Sequence, residues 1–271
     1  GVPIFMPATT RTGPLLSTCG ATPAVTPSST YKSFRQFNKT RIGALAASRS
    51  SIKPHIAEQH FASDSLQDRF VREMAKQRAL PVKEILESFE FFACVRKRLR
   101  APHVTDLCCG HGLTGILFAL FERTVEQVLL IDRQEPPNHA GVLACAIRVG
   151  PWVADKVRYQ TAPMKRAAAH VEPSTSIMAI HACGRLTDRC IDCALEAGGA
   201  MALMPCCYPD SGCEAPAALQ LSLGTRLAYD IDRTYRLQAA GYHVRWGSVP
   251  EEITPMNRVL IGTRSPASPR S

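Results

Sequence analysis

The sequence contains no run of 18 or more apolar residues, so no stretch reads as a transmembrane helix. It has no C-x-x-C…C-x-x-C pairing, the spacing that marks many structural zinc sites. No internal repeat is detectable. The most informative absence is of charge of one sign: from Gly1 to Ala57 there is no acidic residue.

That same segment holds seven bases, Arg11, Lys32, Arg35, Lys39, Arg41, Arg49 and Lys53. It supplies +7 of the net charge of +9 and is rich in Ser, Thr and Pro. A segment of this composition cannot bury a core alone. It reads as an organellar transit peptide, as a basic arm lying along nucleic acid, or as a disordered tail with no role, which composition alone favours. We expect an arm over residues 1–57, with Tyr31, Phe34 and Phe37 set among its bases to stack or fill pockets. The expected partners are RNA and the proteins of a ribonucleoprotein, not a membrane. The expected location is mitochondrial, with the cytoplasm as the alternative. The eleven cysteines read as reduced thiols, because 271 residues with 45% hydrophobic content can form a core without staples.

Residues 58–102 read as a helical lead-in. Leu66, Phe70 and Met74 recur at a spacing of four behind Ser63 or Asp64 as N-cap. Pro81 interrupts, and Val82, Ile85, Leu86, Phe89 and Phe92 give a second apolar face. It ends in the basic cluster Arg96, Lys97, Arg98 and Arg100, which either complements the helix dipole or touches RNA. Strand-length apolar runs then appear at Val104–Cys108, Gln127–Ile131, Val157–Gln160, Ile177–Ala182, Ala200–Met204, His243–Val249 and Arg258–Thr263. Helix-length segments separate the first five, which predicts a parallel sheet covered on both faces. The residues "PEEITPMN" between the last two runs are too few for a crossover helix, so those strands should pair antiparallel. The domain is predicted over 103–265, with 266–271 as a flexible tail.

The stretch "VTDLCCGHGLTGILFAL", from Val104, sets a glycine turn between strand and helix. Gly110 and Gly112 can take positive φ, and the helix after them aims its N-terminal dipole at a ligand. Asp132, at the end of the second strand, is placed to accept from two ribose hydroxyls. The turn is not the G-x-G-x-x-G of dinucleotide folds, and an acid just before it would repel a pyrophosphate. It resembles motif I of the class I S-adenosylmethionine-dependent methyltransferases, D-x-G-x-G-x-G, with Cys108 in place of the first glycine. The resemblance covers roughly residues 103–264. It implies a Rossmann-like seven-stranded α/β sheet whose last strand is antiparallel, and S-adenosylmethionine as cofactor. It further implies that Asp106, Cys108, Gly110 and Gly112 line the cofactor's amino-acid end and Asp132 its ribose. After the third strand, where members of that family often carry a polar residue against adenine, the sequence reads "QTAPM", which leaves adenine recognition unassigned.

"HACGRLTD" (His181–Asp188), "PCCY" (Pro205–Tyr208) and "TPMNR" resemble a narrower subfamily with His-x-Cys-Gly and Cys-Cys motifs. It includes glutathione-S-transferase C-terminal-domain-containing proteins and tRNA 2′-O-methyltransferases. Cys183, Cys206 and Cys207 admit three readings. They are small buried hydrophobes, or zinc ligands together with Cys190, Cys193 and Cys213, or thiolates that attack a pyrimidine ring. No metal is assigned. Transfer to a ribose hydroxyl needs no thiolate, only a base, and His181 is the candidate. Tyr208 is the candidate to orient or stack on the acceptor. Two functions follow. One is a methyltransferase-like component or assembly factor of a ribonucleoprotein, such as a mitochondrial ribosome, with weak or lost activity. The other is an active RNA methyltransferase acting on a ribose 2′-O or a base.

Overall fold

The computed structural model describes residues 48–209 and 214–264. The expected arm up to residue 47, the tail from 265 and Cys213 lie outside the described residues. The last ten residues assigned to the arm are described, and Ile52 and Ala57 among them are buried.

Ser48 and Ser50 offer their carbonyls to the amides of Lys83 and Val82. They thus satisfy donors that the start of a helix leaves unpaired. Helix α1, Pro54–His60, follows with proline in its first turn. Helix α2, Leu66–Gln77, is capped by Ser65, whose hydroxyl accepts from the Asp68 amide at 3.2 Å. The sequence reading put this cap at Ser63 or Asp64. Ser63 instead donates to the Asp68 carboxylate, and Ser65 stands at the right distance from that residue. Helix α3, Val82–Leu99, buries Ile85, Leu86, Phe89 and Phe92 as expected, and Phe91, Val95 and Leu99 besides. Of the basic cluster at its end, Arg96 and Arg100 pair with the buried Glu122, while Lys97 and Arg98 are exposed.

Strand β1, His103–Leu107, leads through the glycine turn into α4, Leu113–Phe121. Helix α4 is apolar all round because α3, α5 and the sheet all cover it. Next come β2 (Gln127–Asp132), α5 (His139–Val149), α6 (Val153–Lys156) and β3 (Val157–Thr161). A 3-10 turn over Met164–His170 precedes β4 (Ser176–Ile180), α7 (Arg185–Ala197) and β5 (Met201–Met204). Helices α8 (Ala217–Leu223) and α9 (Thr225–Ala239) meet at Gly224, and β6 (Tyr242–Ser248) and β7 (Arg258–Arg264) close the sheet.

The seven strands lie in the order β3-β2-β1-β4-β5-β7-β6. β1 to β5 are parallel, and β7 runs antiparallel to both β5 and β6, as the short connection required. Helices α2 to α6 cover one face over a core that includes Phe70, Phe89, Phe118 and Leu130. The 3-10 turn, α7 and α9 cover the other, over Ile177, Ile191 and Leu237. The strand order reverses between β1 and β4. A ligand crevice therefore opens at their carboxyl ends.

Candidate functional site

Three left-handed residues make the turn after β1: Cys108 at φ 53°, Gly110 at φ 53° and Gly112 at φ 75°. Cys108 thus takes a left-handed conformation that glycine adopts freely, at a cost of about 1–2 kcal/mol for a residue with a Cβ. The two glycines answer different needs. A Cβ on Gly112 would stand 2.5 Å from Leu130 Cδ1, whereas one on Gly110 would meet nothing within 4 Å. Gly112 permits packing, and Gly110 leaves space open. The Gly110 amide donates to Asp132 Oδ2 at 2.8 Å, and the Arg133 amide donates to the other oxygen. Tyr159 braces the turn from β3 by donating to the Gly110 carbonyl at 3.0 Å.

Asp106 lies beneath the turn, 2% exposed, and accepts from the Gly115 amide at 3.1 Å. Burial pushes its pKa up to about 7, against the pull of the Gly115 amide and with a further push from the Asp132 charge. Cys108 turns its thiol toward Cys190, whose hydrogen bond lowers the Cys108 pKa against the opposing effect of burial.

Two cavities adjoin here. One, of about 360 Å³, is lined by Asp106, Cys108, Gly110 and His111 of the turn, with Lys83, Glu84 and Glu87 of α3. The other, of about 520 Å³, is lined by Cys108, Asp132, Ala162, Pro163, Met164 and Cys183, with Arg133, Lys165 and Arg189 at its edge. His181 lines both.

Helix α3 brings residues to the site that the sequence reading passed over. Glu87 Oε2 lies 2.7 Å from His181 Nε2 and 3.0 Å from Lys83 Nζ, while Glu84 pairs with His111 at 3.1 Å. Glu87 is 3% exposed, and its Oε1 has no hydrogen-bond partner among the described residues. Burial works to raise its pKa, but the His181 hydrogen bond and the charges of His181 and Lys83 outweigh it and hold the carboxyl below its ordinary range. His181 sits at φ 62°, a left-handed conformation rare for a residue with a side chain. Such strain, of about 1–3 kcal/mol, gathers at sites where a side chain must be aimed.

The other candidates divide. Cys183 and Cys206 stand with their sulfurs 3.2 Å apart, and Cys206 and Cys207 3.5 Å apart. Burial pushes the Cys183 and Cys206 thiols up, and Cys206 is raised further by its two neighbours. A protonated thiol is a poor nucleophile, which weighs against attack on a pyrimidine ring. Cys190 and Cys193 are buried in α7 and do not join the cluster. Tyr208 lines neither cavity, and its hydroxyl donates to Asp230 Oδ2 at 2.7 Å.

Residues 80–211 match the family described as a methyltransferase domain. That match and the strand order agree. The domain is methyltransferase-like, of the class I fold. Among solved structures it is similar to a SAM-dependent methyltransferase from Aquifex aeolicus, at 16% identity over 69% of this chain and 95% of that one, with a TM-score of 0.42. It is also similar to a precorrin-6y C5,15-methyltransferase from Geobacter metallireducens GS-15, at 13% identity over 68% and 88%, with a TM-score of 0.40. No curated protein matches the sequence. S-adenosylmethionine is the cofactor this methyltransferase-like domain implies, and the residues present fit it. An open-sided glycine in the turn, an orphaned buried carboxylate oxygen on Glu87 and the paired cavities are the features such a ligand needs.

Proposed function

We propose that the protein is an S-adenosylmethionine-dependent methyltransferase acting on RNA, with His181 as the base that takes the acceptor's proton. The observation that carries this reading is the contact of 2.7 Å between His181 Nε2 and the buried Glu87, at the junction of the two cavities. An ionised carboxylate only accepts, so Nε2 carries a hydrogen, and in the neutral imidazole the lone pair is then on Nδ1. Glu87 thus fixes the tautomer and orientation, as a carboxylate does for a catalytic histidine.

When bound, the cofactor supplies a methyl group on a sulfonium. Asp106 and Glu87 Oε1 would hold its ammonium end, Asp132 its ribose, and Ala162, Pro163 and Met164 would wall its adenine with apolar surface in place of a polar contact. Cys108 takes a left-handed conformation open to glycine, so its presence in motif I supports no loss of binding by itself. Arg133, Lys165 and Arg189, exposed along the larger cavity, suit a phosphate-bearing acceptor. The His-x-Cys-Gly and Cys-Cys motifs, through their resemblance to tRNA 2′-O-methyltransferases, favour a ribose hydroxyl. The basic arm and its mitochondrial ribonucleoprotein partner form part of the same reading.

Calorimetry of the full chain with S-adenosylmethionine or S-adenosylhomocysteine, followed by methyl transfer to RNA, tests it. Binding that is lost in Asp132→Ala, together with turnover lost in His181→Ala, is the expected result. No binding of either ligand would leave the second reading, a domain kept as a structural part of a ribonucleoprotein.

A further inference from the structure

The cluster of Cys183, Cys206 and Cys207 has no part in the methyl transfer just described, and it is built with care. It joins two loops at neighbouring strand ends, after β4 and after β5. The Gly184 amide donates to the Cys207 carbonyl at 3.3 Å, and the His181 amide to the Met204 carbonyl at 3.2 Å. These bonds fix one loop against the other. Gly184, at φ 60° and ψ −127°, takes a backbone conformation that suits glycine and turns the chain directly after Cys183. The three sulfurs all lie within 4.8 Å of one another. All three cysteines are free, and two of them are exposed.

We propose that Cys183, Cys206 and Cys207 form a three-thiolate site for zinc, with its fourth position open to the 520 Å³ cavity. Zinc–sulfur bonds of about 2.3 Å at tetrahedral angles place sulfurs roughly 3.8 Å apart. The observed separations of 3.2 and 3.5 Å need only a small expansion around a cation. Disulfide bonding would need contraction to about 2.05 Å. Three soft sulfurs without an oxygen donor among them select a thiophilic d10 ion over magnesium or calcium. The ligand set differs from the one the sequence spacing offered, because Cys190 and Cys193 are held inside α7. Three protein ligands leave one coordination position, which is the pattern of zinc sites that engage a small molecule rather than close on themselves. Cys183 lines the larger cavity beside His181, which sets the cluster at the edge of the groove assigned to the acceptor and gives the open position its route to that groove. Binding replaces the three thiol protons, so affinity should rise with pH.

Only the identity of the fourth ligand rests on the methyltransferase reading. Metal and cofactor binding are measured separately, so either can fail alone. The full chain is purified under reductant, stripped with a chelator and titrated with cobalt(II). The expected result is one equivalent bound, with intense thiolate-to-cobalt charge-transfer absorption that zinc bleaches. Cys183→Ser and Cys206→Ser should each weaken binding by at least about tenfold, the loss that even an outer-sphere partner causes. Cys193→Ala should leave it unchanged. Where a serine variant fails to fold, zinc protection of the three wild-type thiols from alkylation, read by mass spectrometry, gives the same answer. Azide should shift the cobalt spectrum, and an indifferent spectrum would refute the open position. Absence of charge-transfer absorption in a chain with reduced thiols would overturn the site. So would a Cys183–Cys206 disulfide in place of metal uptake.

Discussion

Asp106→Asn removes one buried charge and almost nothing else. The amide oxygen of asparagine can still accept from the Gly115 amide, so the perturbation is electrostatic. The native carboxyl has its pKa raised from 3.8 to about 7, with burial as the main cause. Between those values the folded chain holds a proton that the unfolded chain has released. Stability therefore falls as pH rises from about 4 to about 7, and it levels off once the folded group has ionised. A shift of about three units corresponds to roughly 4 kcal/mol at most, with a slope of up to about 1.4 kcal/mol per pH unit inside the window. Asparagine lacks this penalty. Urea unfolding of both proteins at pH 5, 6, 7 and 8 should show the variant gaining on the wild type at each step up to pH 7. A stability difference that stays flat from pH 5 to 8, or that favours the wild type as pH rises, would refute the reasoning. The same charge gives a functional corollary. A ligand ammonium beside Asp106 should drive its ionisation, so cofactor binding at pH 6.5 should release a proton, read as a binding enthalpy that changes with the buffer.

Three pairs of substitutions separate roles at the site and in the ion network behind it. His181→Ala should lower turnover by about 10²–10⁴, the usual contribution of a positioned base, and leave cofactor affinity nearly unchanged; Glu87→Gln should weaken both, because it aims His181 and lines the smaller cavity. Gly110→Ala should cost only about 1 kcal/mol in urea unfolding yet abolish cofactor binding in calorimetry, since its Cβ enters open space. Gly112→Ala should instead destabilise by more, because its Cβ overlaps Leu130. Asp230→Ala should lower unfolding free energy by about 3–5 kcal/mol, the loss typical of breaking a buried ion pair from one side. Tyr208→Phe should cost about 1 kcal/mol and leave turnover intact, since the lost hydroxyl bond serves Asp230.

The strands and the glycine turn were legible because they rest on local rules. Period, length and punctuation gave all seven strands to within two residues, and the short β6–β7 link required an antiparallel pair. The partner of His181 was not legible. Glu87 falls between Leu86 and Phe89 on a helix read as amphipathic, where an acid looks solvated. It is buried because α3 packs across the crevice, and that tertiary placement leaves no mark on periodicity. A weak signal did exist in the pair Lys83 and Glu87, four apart on one face, but such pairs are common on exposed helices. The cysteines failed differently. Spacing offered six ligands; that Cys190 and Cys193 fall inside a helix was readable, but not that Cys183, Cys206 and Cys207 converge from two loops.

The stretches "HACGRLTD", "PCCY" and "TPMNR" share one network of ions. Asp188 of "HACGRLTD" takes a bidentate pair from Arg233, at 2.8 and 2.9 Å. Asp230 accepts from Tyr208 of "PCCY" and from Arg258 of "TPMNR", and it faces Arg233 at 3.4 Å. Arg233 and Asp230 are each 1% exposed, and the Arg233 guanidinium lies 5.1 Å from the Tyr229 ring. Removing such charges from water is costly, and well-packed apolar residues of equal volume would often serve stability as well or better. What ions provide instead is direction, since each carboxylate accepts only along its lone pairs and each guanidinium donates in a fixed fork. The network ties α7, α9, the loop after β5 and the start of β7 to one another. His181 and Cys183 lie a few residues before Asp188, and Cys206 and Cys207 directly before Tyr208. The first two motifs therefore have two ends with different work: one carries His181 or the cysteine cluster at the strand ends, and the other joins the ions that hold it in register.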